Sequence, residues 1–116
     1  KENLKSVNTF SRSNLLQYGS FEINPKNRTA RLNDNIIELT TYEFEILYLL
    51  AKNPGQVLSK GQIYKQIWKI SCVGAENNVI SLIHRLRKKI EPNPSKPIYV
   101  LTVWGVGYKF NSALDD

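Results

Sequence analysis

A chain of 116 residues is long enough to bury one core but not two. Its 41% hydrophobic and 22% charged residues are ordinary for a globular domain, and its longest apolar run, residues 46–51, is far too short for a membrane-spanning helix. The net charge of +6 is concentrated: residues 60–109 carry nine Lys and Arg against two acids, Glu76 and Glu91, which points to a polyanion partner and not to charge scattered for solubility.

Cys72 is the only cysteine, so neither a disulfide framework nor a cysteine zinc site is available, and a cytoplasmic, reducing location fits. No apolar signal segment opens the chain. The sequence contains no Met, which leads us to expect a piece of a longer protein. Residues 1–15 are polar and aperiodic and read as the tail of an interdomain linker. Residues 16–111 read as the folded domain and residues 112–116 as a frayed end.

In chain order, Tyr18, Phe21 and Ile23 are strand-favouring residues, followed by turn chemistry at Asn24-Pro25-Lys26-Asn27. Residues 28–32 and 36–39 give two further strand runs, broken by Asn33-Asp34-Asn35, so a small antiparallel sheet is expected. Thr40-x-x-Glu43 is a capping-box pattern, and Phe44, Leu47, Tyr48 and Ala51 then recur at helical spacing until Asn53-Pro54-Gly55. Ser59-x-x-Gln62 opens a second helix by the same device, with Ile63, Ile67 and Trp68 facing inward and Lys60 and Lys65 outward. Residues 69–75 lose periodicity and read as a loop.

The third helix, residues 77–91, carries an apolar stripe of Val79, Leu82, Ile83, Leu86 and Ile90. The opposite face holds Asn77, Ser81, His84, Arg85 and Lys88, with Arg87 and Ile80 on one flank and Asn78 and Lys89 on the other. Residues 98–103 and Tyr108-Lys109-Phe110 read as a hairpin around Trp104-Gly105-Val106-Gly107. The fold class is therefore α+β: strands, three helices and a hairpin, the order of a winged helix-turn-helix.

That arrangement suits a DNA duplex. A major groove admits one helix that is apolar on its inner side and Asn, Ser, His, Arg and Lys on its outer side. Arg can pair bidentately with guanine and Asn with adenine, and Lys88 and Lys89 suit phosphates. Lys60 and Lys65 are further candidates for phosphate contact. Gly105-Val106-Gly107 lacks the third Gly and the following helix of a dinucleotide fingerprint. His84 has no acid or thiol near it in sequence to build a metal site or a triad. No catalytic residue, metal or cofactor is expected, and an enzyme is the weakest reading. A winged-helix module used for protein contact is the main rival.

The sequence closely resembles the effector domain of the OmpR/PhoB family of bacterial response regulators. The resemblance lies in Leu39-Thr40-Thr41-Tyr42-Glu43-Phe44-Glu45-Ile46-Leu47, Asn53-Pro54-Gly55-Gln56-Val57-Leu58-Ser59, Ile67-Trp68, Ile83-His84-Arg85-Leu86-Arg87-Lys88-Lys89-Ile90 and Thr102-Val103-Trp104-Gly105-Val106-Gly107-Tyr108-Lys109-Phe110. It implies an N-terminal antiparallel four-stranded sheet, a phosphorylatable receiver domain upstream, and transcriptional control as the output of a two-component phosphorelay. It also implies an isolated domain that is monomeric, dimerising head-to-tail on direct-repeat promoter sites. The loop Lys69, Ile70, Ser71, Cys72, Val73 and Gly74 would be the segment that in some members touches RNA polymerase.

Carried over by residue, Arg85 and Arg87 match the family's basic positions on the recognition helix, and Thr102 matches a contact at the wing base. The family's Arg-Thr pair at the helix start is Asn77-Asn78 here. A common Asp is Ile80, a frequent His is Leu82, and the wing Arg of many members is Trp104, beside Gly105. Fewer ionic phosphate contacts are expected than in a typical member.

Overall fold

The computed structural model describes residues 15–69 and 77–114. The chain begins with an antiparallel meander of β1 (Leu16–Tyr18), β2 (Phe21–Asn24), β3 (Thr29–Leu32) and β4 (Asn35–Ile37), arranged in that order. Three helices follow, α1 (Thr41–Ala51), α2 (Lys60–Trp68) and α3 (Asn77–Ile90), and then a separate hairpin of β5 (Val100–Val103) and β6 (Gly107–Phe110).

The meander has one strand more than the residue pattern alone suggested. Tyr18 pairs with Phe21 across the two-residue turn Gly19-Ser20, so what reads as one run is two strands. Leu32 pairs with Asn35, and both residues between them, Asn33 and Asp34, have positive φ, 53° and 68°. That is the backbone of a type I′ hairpin turn, which Asn and Asp tolerate better than other side chains.

Both capping boxes form. Thr40 Oγ1 accepts from Glu43 N while Glu43 Oε1 accepts from Thr40 N at 2.9 Å, and Ser59 and Gln62 repeat the exchange at the start of α2. Each pair satisfies two N–H groups that the first helical turn would leave without partners. The loop after α1 turns back so that Leu58 N donates to Tyr108 O and Tyr108 N to Leu58 O, both at 2.9 Å. The hairpin is thereby stitched to the segment that leads into α2.

One core joins these pieces. Val79, Leu82, Ile83, Leu86 and Ile90 of α3 are all buried, facing Phe44, Leu47, Leu50 and Ile63 of the other helices. The meander and the hairpin meet in an aromatic cluster, Phe21 lying 4.6 Å from Tyr99 and Tyr18 4.9 Å from Phe110 between ring centroids. The Tyr18 hydroxyl donates to the carbonyl of Ala51 at 2.7 Å, tying the first strand to the end of α1. Leu114 also packs on the core, and Ala113 N donates to Asn111 Oδ1.

Candidate nucleic-acid interface

With its stripe turned inward, α3 presents Asn78, Ser81, His84, Arg85 and Lys88 as exposed side chains. Asn77 is its first residue. The hairpin stands beside it with Thr102 half-buried at its base and Trp104 at its tip, 88% exposed. A groove of about 590 Å³ runs along α3 against Tyr42 and Trp68, lined by Ser81, His84 and Arg85 among others. A second cleft of about 310 Å³ lies on the hairpin side, between Lys60, Thr102, Trp104 and Val106. Lys60 thus joins the wing side of the surface. Lys65 is exposed on α2 but lines neither depression. Of the expected polymerase loop only Lys69 is described, as the left-handed C-cap of α2; Ile70, Ser71, Cys72, Val73 and Gly74 lie outside the described residues.

Two cations of the expected contact set have partners within the domain. Arg87 donates from Nε and Nη2 to the carbonyl of Val100, at 3.0 and 2.9 Å, and from Nη2 to Thr102 Oγ1 at 2.7 Å. Its guanidinium carbon also sits 5.6 Å from the centre of the Tyr108 ring. Burial lowers its pKa, opposed by Tyr108 and Glu91, but a guanidinium remains charged at neutral pH. The sequence reading placed Arg87 and Thr102 as separate DNA contacts; the structure joins them in a brace between α3 and β5. The reason is geometric, since the flank of α3 that carries Arg87 faces the wing.

Lys89 is the second. Its Nζ lies 2.7 Å from Glu43 Oε1, and Glu43 is 2% exposed. Its charge is thereby paired on the α1 side of α3, while its side chain stays 37% exposed. Burial raises the Glu43 pKa, but the hydrogen bond from Lys89, the Thr40 N–H, the Lys89 charge and the Thr40 hydroxyl outweigh it, leaving the pKa below the ordinary 4.5. A carboxylate with a lowered pKa stabilises the fold fully above its unfolded pKa, and the contribution fades as pH falls through the folded value. Lys89→Met leaves Glu43 buried with only its capping contacts. Because Lys89 is partly solvated, we expect a loss of ~1–3 kcal/mol at pH 7, shrinking as pH falls and Glu43 protonates. Urea midpoints from about pH 3 to 7 read this directly, and a loss independent of pH would remove Glu43 from the account.

Glu91 has a role that the sequence reading did not find. It is 6% exposed, and its two oxygens accept from the backbone N–H groups of Ile98, Tyr99 and Val100 at 2.8 to 3.2 Å. β5 begins at Val100 and not at residue 98, and the N–H groups of Ile98 and Tyr99 find their partner in Glu91. A signal was present. A carboxylate just past a helix C-terminus opposes the helix dipole, so its placement there calls for donors from elsewhere.

The tip of the wing is closed by Val106 N donating to Val103 O at 2.9 Å, with Gly105 at φ 79°. Gly107 serves a different need. Its φ is not positive, but a Cβ there would lie 2.0 Å from the carbonyl oxygen of Leu58. The surface as a whole offers hydrogen-bonding groups and the cations of Arg85, Lys88 and Lys60. Among the described residues no cluster of His, Cys, Asp and Glu could hold a metal ion.

A family model described as "Transcriptional regulatory protein, C terminal" matches residues 33–110. The chain is 44% identical over 98 residues to the transcriptional regulatory protein YclJ of Bacillus subtilis, covering 84% of this chain and 42% of that protein. It therefore spans well under half the length of such a relative. Its fold is similar to the RstA DNA-binding domain of Klebsiella pneumoniae, solved in complex with the RstA box, with TM-score 0.78 and 32% identity over 84% of this chain and 96% of that one. It is also similar to the response regulator DrrB of Thermotoga maritima, an OmpR/PhoB homolog, with TM-score 0.79 and 34% identity over 96% of this chain and 52% of that one. Meander, three helices and terminal hairpin are thus those of a family of transcription regulators, not of enzymes. The chain belongs to the transcriptional regulatory protein C-terminal family, in the winged-helix form of the OmpR/PhoB response regulators.

Proposed function

We propose that this domain binds double-stranded DNA in a sequence-specific manner, as the transcription-regulating output domain of a two-component response regulator. The observation that carries the reading is the outward face of α3, where Ser81, His84, Arg85 and Lys88 stand exposed beside the wing. RstA, at 32% identity, was solved as a DNA-binding domain on its box, which supports the same use of this surface. In this reading Arg85 reads a base edge, Asn77 and Asn78 serve the front of the helix, and Ser81 permits close approach. His84 lies in the groove, Lys88, Lys60 and Lys65 meet phosphates, and Thr102, Trp104 and Gly105 form the wing contact.

The partners follow from the same reading. YclJ is more than twice as long as its match to this chain, which supports a receiver domain elsewhere in the full-length protein. The domain is a monomer alone and pairs on direct repeats. A polymerase contact through residues 69–74 would show as lost activation, with DNA binding kept, when residues 70–74 are deleted.

Selection of bound sequences from a random duplex library tests the reading, with two half-sites about one helical turn apart as the expected product. On that operator, Arg85→Ala is expected to weaken binding about 10- to 100-fold while barely changing affinity for random DNA. Lys88→Ala is expected to weaken both and to shallow the salt dependence by about one ion. Equal loss on operator and random duplex after Arg85→Ala would refute base reading by this residue. No retardation of any fragment at low salt would instead favour a protein-contact module.

A further inference from the structure

Ile80 is the one apolar side chain that both depressions share. It is 39% exposed, lies one turn into α3, and borders the groove of Ser81, His84 and Arg85 as well as the cleft of Thr102, Trp104 and Val106. Its neighbours along the helix, Asn77 and His84, stand one turn to either side. The five apolar residues that α3 needs for its core are already buried, so Ile80 is surplus to folding. As a β-branched residue it also lowers helix propensity slightly. Single exposed apolar side chains are ordinary on a protein surface; what sets Ile80 apart is its place on the hydrogen-bonding face, where it borders both depressions.

In a major groove the base edges offer hydrogen-bonding groups with a single apolar exception, the C5-methyl of thymine. We infer that Ile80 reads a thymine methyl group in each half-site, so that this domain discriminates one base by burial and not by hydrogen bonding. The inference rests on the DNA-binding reading proposed above. Ile80 sits between the polar front of α3 and the wing. The thymine it covers therefore belongs to the part of the half-site nearest the wing, beside the base edge met by His84. A guanine or cytosine at that pair leaves Ile80 against polar edges, which is how the preference arises.

The test uses the operator obtained by selection, with each thymine replaced singly by deoxyuridine, which removes the methyl and keeps every hydrogen-bonding group. Dissociation constants are measured by gel retardation for the native domain and for Ile80→Ala. One replacement per half-site is expected to weaken the native domain about three- to five-fold, the scale of one buried methyl group. Ile80→Ala is expected to bind the thymine and uracil operators equally well. Its melting temperature should match the native value, since Ile80 is outside the core. If the native domain selects an operator but no uracil penalty disappears with Ile80→Ala, the inference is overturned while DNA binding stands. Half-sites without thymine overturn it too. If the native domain retards no duplex, the DNA-binding reading itself fails.

Discussion

Gly107→Ala is expected to cost ~3 kcal/mol, at the upper end of what over-filling a packed site costs. The added Cβ would sit 2.0 Å from Leu58 O, 2.7 Å from its carbonyl carbon and 2.8 Å from Ser59 Cα. All three are backbone atoms, so no side chain can swing aside. The strain falls on the paired hydrogen bonds between Leu58 and Tyr108, which hold the hairpin to the approach of α2. Gly105→Ala is the matched control. There the φ of 79° strains any side chain, but nothing lies within 4 Å of the added atom. That change should cost only ~1 kcal/mol, the penalty of the left-handed backbone alone. Urea unfolding of the two variants decides the matter, and equal losses would mean that the approach to Leu58 is relieved by backbone movement.

Arg87→Met is the second large effect. It removes three hydrogen bonds from a charged donor, two to the carbonyl of the fully buried Val100 and one to Thr102 Oγ1. A loss of ~1.5–3 kcal/mol is expected, with faster amide exchange in β5. Arg87→Lys should not restore stability, because a single ammonium cannot place forked donors on two acceptors. Loosening the wing should also weaken DNA binding, but as a consequence of lost order. A phosphate contact alone would give unchanged stability, a weaker complex and a shallower salt dependence. The pairing of stability and affinity data therefore separates the brace from a direct contact.

These two residues mark where the sequence stopped being legible. The capping boxes at Thr40 and Ser59 could be read because both partners lie three residues apart. The stripe of α3 could be read because helical period alone sets which side chains are buried. The roles of Arg87 and Lys89 depend on partners 13 to 15 and 46 residues away, which no local pattern reports. A basic run looks the same whether its charges face water or are taken up at home. Glu43 illustrates this: its capping contact to Thr40 was visible, while its pairing with Lys89 needed the packing of α1 on α3. Gly107 read as turn chemistry, and only the fold shows that space, not φ, demands it.

The stitch between Leu58 and Tyr108, together with the Arg87 brace, has a mechanical consequence. The wing is fastened by backbone bonds to the approach of α2 and by the Arg87 guanidinium to α3, so helix and wing are held like the two jaws of a caliper. On the DNA-binding reading proposed above, jaws held in this way would meet a major groove and the neighbouring minor groove at a set spacing. The duplex would then supply the match, and on that reading sequences that widen or narrow a groove cheaply are expected to bind more tightly, even through base pairs no side chain touches.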